Sequence, residues 1–344
     1  MVTLTQVVTS EFLDRATRSY RIGPYILHRC IAYGGHSVVY EVTHPDKQGP
    51  LALKLAGVGK SITSVKPEDP SKGSDKESTW IATVEKPKRT YTRDDIPTVT
   101  DKKEKARVEM MMNERRILGI LGEHENIASL EGQGEYILNI KTRKGEEKAF
   151  LMYAVYPRVK AIQTERLESG ALSIEEVLEI MLGVANAGAY CHEHEVIHCD
   201  IKPANILVDR RTYKPKLTDF GIALYVPDGK LQGMLGSPVY MSPEHVIGAV
   251  EYKSDVFSLG STSFHLLTGI QPIDSDEADT NKATFDIALK IAHGEMDAYN
   301  IPIRSVRPEA PKRLVKLING MMAKKIQDRP GMKEVASEVA ATKG

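Results

Sequence analysis

VIHCDIKPANILVDRRTYKPKLTDFG, residues Val196 to Gly221, is what the rest of this chain is organised around. It carries three groups fit for chemistry, Asp200, Asn205 and Asp219, set apart by two short apolar runs. Ile206-Leu207-Val208 and Lys216-Leu217-Thr218 are expected as strands joined by a polar turn at Asp209–Tyr213. A hairpin of that kind brings Asp219 back beside Asn205. Two oxygen ligands on adjacent strand ends suit Mg²⁺, which keeps several waters and takes only one or two carboxylates from protein. Asp200, on the loop before the first strand, is placed to accept a proton from an incoming hydroxyl.

Composition bounds what can surround this stretch. With 344 residues, 41% hydrophobic and 27% charged, the chain can bury the core of one large or two ordinary soluble domains. Lysine plus arginine equals aspartate plus glutamate at 46 each, so neither a nucleic acid nor an anionic membrane is expected as partner. No apolar run reaches the roughly 18 residues of a membrane span. The opening MVTLTQVVTSEFLDR lacks the basic end and continuous apolar core of a secretory signal. Cys30, Cys191 and Cys199, without paired spacing, fit a reducing compartment, and the expected location is cytoplasmic.

His198-Cys199-Asp200-Ile201-Lys202-Pro203-Ala204-Asn205 resembles the catalytic loop of protein kinases. Asp219-Phe220-Gly221 resembles the metal-binding triplet that follows it. Lys202, two residues past the aspartate, is the form found in serine/threonine rather than tyrosine kinases. Cys199 departs from the pattern, standing where most kinases have arginine. In many kinases that arginine helps bind a phosphate on the activation loop, and the ion pair orders the loop. A cysteine cannot do this, and Ile222–Gly236 contains no Ser or Thr, with Tyr225 its only hydroxyl. The expectation is a loop held by its own apolar residues, Leu231, Met234 and Leu235 being candidates.

Toward the N-terminus, Ile31–Tyr40 corresponds in position to the kinase glycine-rich loop between two strands. Ala32 and Ser37 replace the first and third pattern glycines, Gly34 matches the middle one, and Gly35 is an extra. Glycine lets backbone N–H groups approach phosphate with no Cβ in the way, and small substitutes keep most of that cradle. A plain Gly-Gly hairpin is the alternative. Leu51-Ala52-Leu53-Lys54-Leu55 is a strand-like run with one lysine. A buried lysine needs a partner, and the resemblance supplies ATP phosphates and a helix glutamate; an ordinary edge-strand lysine is the alternative. Val39 and Ala52 complete the expected nucleotide-binding set.

Ala106–Leu121 shows an apolar stripe of Met110, Ile117, Leu118 and Leu121 at helical spacing. Asn113–Leu118 resembles the kinase helix that carries the pairing glutamate, which gives Glu114; Glu109 faces another side. Residues 57–104 hold four prolines, twelve Ser or Thr, ten basic and nine acidic residues, the composition of a solvated insertion. Within it, Ser78–Val84, around Trp80, is a candidate strand or docking segment. Gly134–Ile140 and Lys148–Tyr156 are expected strands around a turn at Arg143–Glu146. The resemblance puts the adenine-binding hinge at Tyr153–Tyr156, with Tyr153 guarding the pocket behind it.

Toward the C-terminus, Ser173-Ile174-Glu175-Glu176 is a capping box opening a long helix that ends near His192–His194. His194-Glu195-Val196-Ile197-His198 matches a zinc-protease pattern, which needs both histidines on one continuous helix. β-prone Val196-Ile197 and the nearby Pro203 argue against a helix, so His198 reads as a structural histidine beneath Asp219-Phe220-Gly221. Ser237–Glu244 resembles the kinase substrate-docking segment, with Ser-Pro-Glu in place of Ala-Pro-Glu. Tyr252–Gly260 opens an apolar helix whose Asp255 would anchor the catalytic-loop backbone, the alternative being a plain N-terminal carboxylate. Arg329 is the partner that kinases give Glu244.

The resemblance runs from about residue 25 to 340. It implies an α+β, bilobal fold: an N-terminal extension (1–24), a small antiparallel β lobe with one main helix (25–156, interrupted by 57–104) and a larger, mainly helical lobe (157–344), with ATP between the lobes. The implied activity is ATP-dependent transfer to Ser/Thr hydroxyls of a protein substrate. Lys54, held by Glu114, would grip the α- and β-phosphates, and Asn205 and Asp219 would hold Mg²⁺. Asp200 would take the hydroxyl proton while Lys202 steadies the γ-phosphate. A small-molecule kinase would share Asp200, Asn205 and Asp219 but usually lacks the docking segment and the Asp255 helix. A pseudokinase, binding without transfer, is suggested by Ala32, Ser37 and Cys199, yet every group that touches metal, phosphate or the transferred proton is present.

Overall fold

The computed structural model describes residues 21–33, 37–59, 81–85, 102–142, 145–158, 171–208, 214–228, 236–272, 286, 289–290 and 301–343. The chain forms two units, Met1–Arg115 with Ser129–Arg158, and Arg116–Ala128 with Val159–Gly344.

The first unit is built on a seven-stranded antiparallel sheet. Its strands are β1 (Arg21–Ile22), β2 (Tyr25–Tyr33), β3 (Val38–Thr43), β4 (Leu51–Gly59), β5 (Ile81–Glu85), β6 (Gly132–Thr142) and β7 (Gly145–Pro157). Across the sheet they run β1-β2-β3-β4-β7-β6-β5. Strand alternation sorts the side chains onto two faces. Val38, Tyr40 and Val42 join Leu51, Leu53 and Leu55, together with Leu151, Tyr153 and Val155, in one buried cluster. Ala56, Met152 and Ala154 face the other way, against Val108 and Met111 of helix α1 (Lys102–Leu121).

Three expectations change here. Residues 57–104 are not all solvated insertion, and the candidate strand at Ser78–Val84 is met in part, because Ile81–Glu85 pairs with β6 from Lys141 to Ile137 and forms the sheet's outer strand. Backbone pairing to a preformed strand supplies what the segment's polar composition does not. Tyr153–Tyr156 is not a hinge but the interior of β7, registered residue by residue with β4 from Leu55 to Ala52. Tyr153 belongs to the buried cluster on one face, whereas Lys54 is registered with Ala154 on the other. A residue directed away from Lys54 cannot guard a pocket on the lysine's side. The third change is smaller. The buried stripe of α1 is Val108, Met111, Glu114, Ile117, Leu118 and Leu121, so Met111 replaces Met110 and the stripe includes a carboxylate.

The second unit is mainly helical. Helix α2 (Ile174–Glu193) opens at Ser173, whose Oγ accepts from the Glu176 N–H at 3.2 Å while Glu176 Oε2 accepts from the Ser173 N–H at 3.0 Å. These two bonds satisfy N–H groups that a helix start leaves without partners. Four short strands follow: β8 (Val196–Ile197), β9 (Ile206–Val208), β10 (Pro215–Leu217) and β11 (Leu224–Tyr225); β9 pairs with β10 and β8 with β11. Further helices among the described residues are α3 (Pro243–Val246), α4 (Tyr252–Thr268), α5 (Ile303–Val306), α6 (Lys312–Met321) and α7 (Met332–Lys343). Helix α4 is buried from Ser254 to Thr268 except at His265, which places it in the unit's core. Glycines let α2 approach its neighbours closely. An added Cβ would lie 2.2 Å from Pro215 Cγ at Gly183 and 3.0 Å from Met332 Cε at Gly188. Among the described residues no helix is long and apolar enough to cross a membrane.

Candidate active site

The pairing of β9 with β10 is the one its sequence promises, while the turn expected at Asp209–Tyr213 lies outside the described residues. Ile206 pairs with Leu217, and Thr218 then donates its N–H to Asn205 O at 2.9 Å and its hydroxyl to the same oxygen at 3.1 Å. Asp219 therefore follows directly on a residue tied to Asn205. Among the described residues, the non-glycine residues with positive φ are Glu195 (59°), Cys199 (67°) and Asp219 (64°), all in or beside this segment. Such backbone costs on the order of 1–3 kcal/mol and persists only where its surroundings over-determine it.

Asp255 is the main restraint. It is wholly buried, and its two oxygens accept from the backbone N–H groups of His198 (2.8 Å) and Cys199 (2.9 Å), with His192 Nε2 3.0 Å away. Burial alone would raise this carboxyl, but the hydrogen bonds it accepts from His192 and from the His198 N–H outweigh it and hold the group below its ordinary value. His198 is equally committed. Its Nε2–H donates to Thr218 O at 3.0 Å, Nδ1 accepts from the Asp200 N–H at 3.2 Å, and its ring meets Phe220 edge-on at 4.7 Å. One neutral tautomer serves both bonds. Helix α2 ends at Glu193, and Val196–Ile197 is strand, so His194 and His198 do not share a helix face and the zinc-protease geometry is not formed.

Around Asp200 the polar contacts are asymmetric. Oδ2 accepts from Asn205 Nδ2 at 2.9 Å and from Lys202 Nζ at 2.8 Å. Lys202 also donates to Ser237 Oγ at 2.7 Å, which links the loop to the segment before α3. Oδ1 of Asp200 is buried with no hydrogen-bond partner among the described residues. An unsatisfied buried acceptor is costly, and a donor arriving with a substrate would relieve it. Asn205 Nδ2 also reaches Asp200 O at 2.8 Å, which turns the asparagine's amide oxygen away from Asp200. That oxygen and the Asp219 carboxylate are hard donors of the kind Mg²⁺ accepts.

In the first unit, Lys54 Nζ donates to Glu114 Oε2 at 2.6 Å, with side chains only 16% and 3% exposed. Tyr156 donates its hydroxyl to Glu114 Oε1 at 2.8 Å, so both carboxylate oxygens are engaged. Val39 is registered with Lys54 and with Ala32, and Ala52 with Tyr156, which puts all of them on the sheet face of Lys54. Gly34 and Gly35 lie outside the described residues, as do Leu231, Met234 and Leu235.

Two contacts escaped the sequence. Tyr156 could be found only from the β4–β7 register. Arg116 lies 2.5 Å from Asp228 and 112 positions before it, with no local pattern joining the two. Farther from the loop, Arg329 meets Glu244 through two bonds of 2.7 and 2.9 Å, and Ser254 adds a third at 2.7 Å. Burial pushes the Glu244 carboxyl up, but Arg329 and the Ser242 and Ser254 hydroxyls hold it below its ordinary value.

A β-sheet unit with a lysine–glutamate pair and a helical unit with Asp200, Asn205 and Asp219 on one loop and hairpin define the class. Residues 78–339 match the family model described as "Protein kinase domain", and the chain belongs to that family. The match begins after Lys54, so the reading of that lysine rests on its own geometry. The chain is 30% identical over 210 residues to the probable serine/threonine-protein kinase PknB of Bifidobacterium longum, covering 59% of this chain and 29% of that protein. It is 33% identical over 177 residues to the serine/threonine-protein kinase PrkC of Bacillus subtilis, covering 50% and 25%. With the serine/threonine-protein kinase GIN4 of Saccharomyces cerevisiae it shares 37% over 135 residues, covering 38% and 11%. The similarity thus spans less than a third of these relatives' own length. The family uses ATP and Mg²⁺ and acts on proteins.

Proposed function

We propose that the chain transfers the γ-phosphoryl group of ATP to a serine or threonine hydroxyl of a protein substrate. One observation carries the reading. Asp200 Oδ1 is buried without a donor among the described residues, while Oδ2 is tied to Asn205 and Lys202. The carboxylate is thereby fixed in orientation with one oxygen left for an incoming hydroxyl, as a general base requires. As the hydroxyl oxygen bonds to the γ-phosphorus, its proton passes to Oδ1 and the bond from that phosphorus to the β–γ bridging oxygen breaks. Lys202 sets a cation beside the acceptor, and Lys54, held by Glu114, binds α- and β-phosphate oxygens. Ala32, Gly34, Gly35, Val39 and Ala52 take the nucleotide. Asn205 and Asp219 would hold Mg²⁺, which neutralises charge on the phosphate oxygens. Equal counts of acidic and basic residues support a protein acceptor over nucleic acid or membrane, and three free cysteines support a cytoplasmic setting.

The test is phosphate transfer from labelled ATP to a generic protein acceptor, run beside nucleotide binding. Asp200→Asn abolishes transfer and leaves ATP affinity largely intact, because the residue acts on the acceptor. Asp219→Ala weakens Mg²⁺-dependent nucleotide binding as well as turnover. Full transfer by Asp200→Asn would remove the assigned base, and no transfer by the wild type would remove the activity.

A further inference from the structure

Residue 199 leaves a charge missing. Cys199 is 2% exposed, its thiol donates to Ile197 O at 3.4 Å, and burial with the nearby Asp255 charge pushes it well above its ordinary value. Position 199 therefore offers no cation to the segment that follows Gly221. A cation arrives from another element. Arg116, on α1, places Nη2 2.5 Å from Asp228 Oδ2 and its guanidinium 5.6 Å from the centroid of the Tyr225 ring. Tyr225 sits on β11, paired with Val196 of β8, and the next amide, Val226 N–H, donates to Glu195 O at 2.8 Å. One guanidinium thus touches both ends of the Tyr225–Asp228 turn, and that turn is bonded to the strand immediately before His198.

We propose that Arg116 is a positioning residue that fixes the segment 224–228 against the catalytic loop through the built-in carboxylate of Asp228. A guanidinium pairs with a carboxylate as it does with a phosphate oxygen, only with less charge to grip. Because the carboxylate is permanent, the segment needs no modification to be ordered. The absence of Ser and Thr from Ile222–Gly236 agrees with this.

The proposal rests on the kinase reading, and its test keeps the two separable. The pair is about half exposed, 46% and 51%, so a modest effect is expected. Arg116→Glu and Asp228→Arg each lower kcat on a protein acceptor by about five- to tenfold, with the KM for ATP little changed. Hydrogen exchange of the Val226 amide quickens in both, a readout independent of activity. The double variant Arg116→Glu/Asp228→Arg restores the ion pair and recovers most of both losses, which a merely structural arginine would not. Single variants at wild-type kcat and exchange, or a double variant no better than either single, overturn the proposal. If the wild type transfers nothing, the kinase reading falls while the exchange measurement still decides whether Arg116 holds the segment.

Discussion

Removing the Asp255 carboxylate would test whether the strained loop before Asp200 is held from below. Asp255→Ala strips the acceptor from the N–H groups of His198 and Cys199. Those residues are 0% and 2% exposed, so bulk water is kept from the vacated donors. Each buried donor left without a partner costs about 1–3 kcal/mol, which makes about 2–6 kcal/mol for the two. Against a typical total of about 5–15 kcal/mol, that brings the alanine variant near the limit of folding. Asp255→Asn is the milder probe. Its single carbonyl oxygen can serve one N–H, but its amide nitrogen faces the other, giving a loss of about 1–3 kcal/mol. The φ of 67° at Cys199 then loses its main restraint, and the setting of the neighbouring Asp200 loosens with it. Activity should therefore fall further than the folded fraction does. Urea unfolding followed by far-UV circular dichroism gives the first quantity, and phosphate transfer well below the transition gives the second. An alanine variant within about 0.5 kcal/mol of wild type, as for an ordinary surface change, would refute the reasoning.

Two further outcomes are expected. Gly183→Ala destabilises by about 1–3 kcal/mol through overpacking, since its Cβ would meet Pro215 Cγ at 2.2 Å, whereas Gly320→Ala, facing nothing within 4 Å, does not; equal melting temperatures for the two would dismiss the α2–β10 contact. In acid, the depressed carboxyls of Asp255 and Glu244 mean that the unfolded chain binds more protons. Their stabilisation is present above the ordinary values of 3.8 and 4.5 and is lost as pH falls through them toward the lower folded values. Urea midpoints measured from neutral pH down to about pH 3 should fall steadily below about pH 5, and a flat profile would contradict the depressed carboxyls.

What the sequence made legible was local or carried by motif. The hairpin from Ile206 to Thr218 needs only its own two strands and a turn, and the capping box at Ser173 closes within four residues. Asp255 and Arg329 were placed by resemblance, and each makes the contact expected of it. The failures share a physical cause. Which of Tyr153 and Tyr156 faces Lys54 depends on the register between β4 and β7, strands about a hundred residues apart, and a shift of one position exchanges the faces. Ser78–Val84 reads equally as a strand or a docking segment, and only the β6 backbone beside Ile81–Glu85 decides between them. Arg116 and Asp228 meet across 112 positions, a relation with no trace in either neighbourhood.

The outer strand β5 has a consequence for anyone trimming this chain. Its backbone pairs with β6 over Ile137 to Lys141, one long edge of the sheet. Cutting the whole segment 57–104 as if it were a passive loop would uncover that edge. Uncovered edges of this kind recruit strands from neighbouring molecules, so the shortened protein would be prone to assemble or precipitate whatever its chemistry. A shortened version that keeps residues 81–85, or sets charged residues along β6, would retain a guarded border.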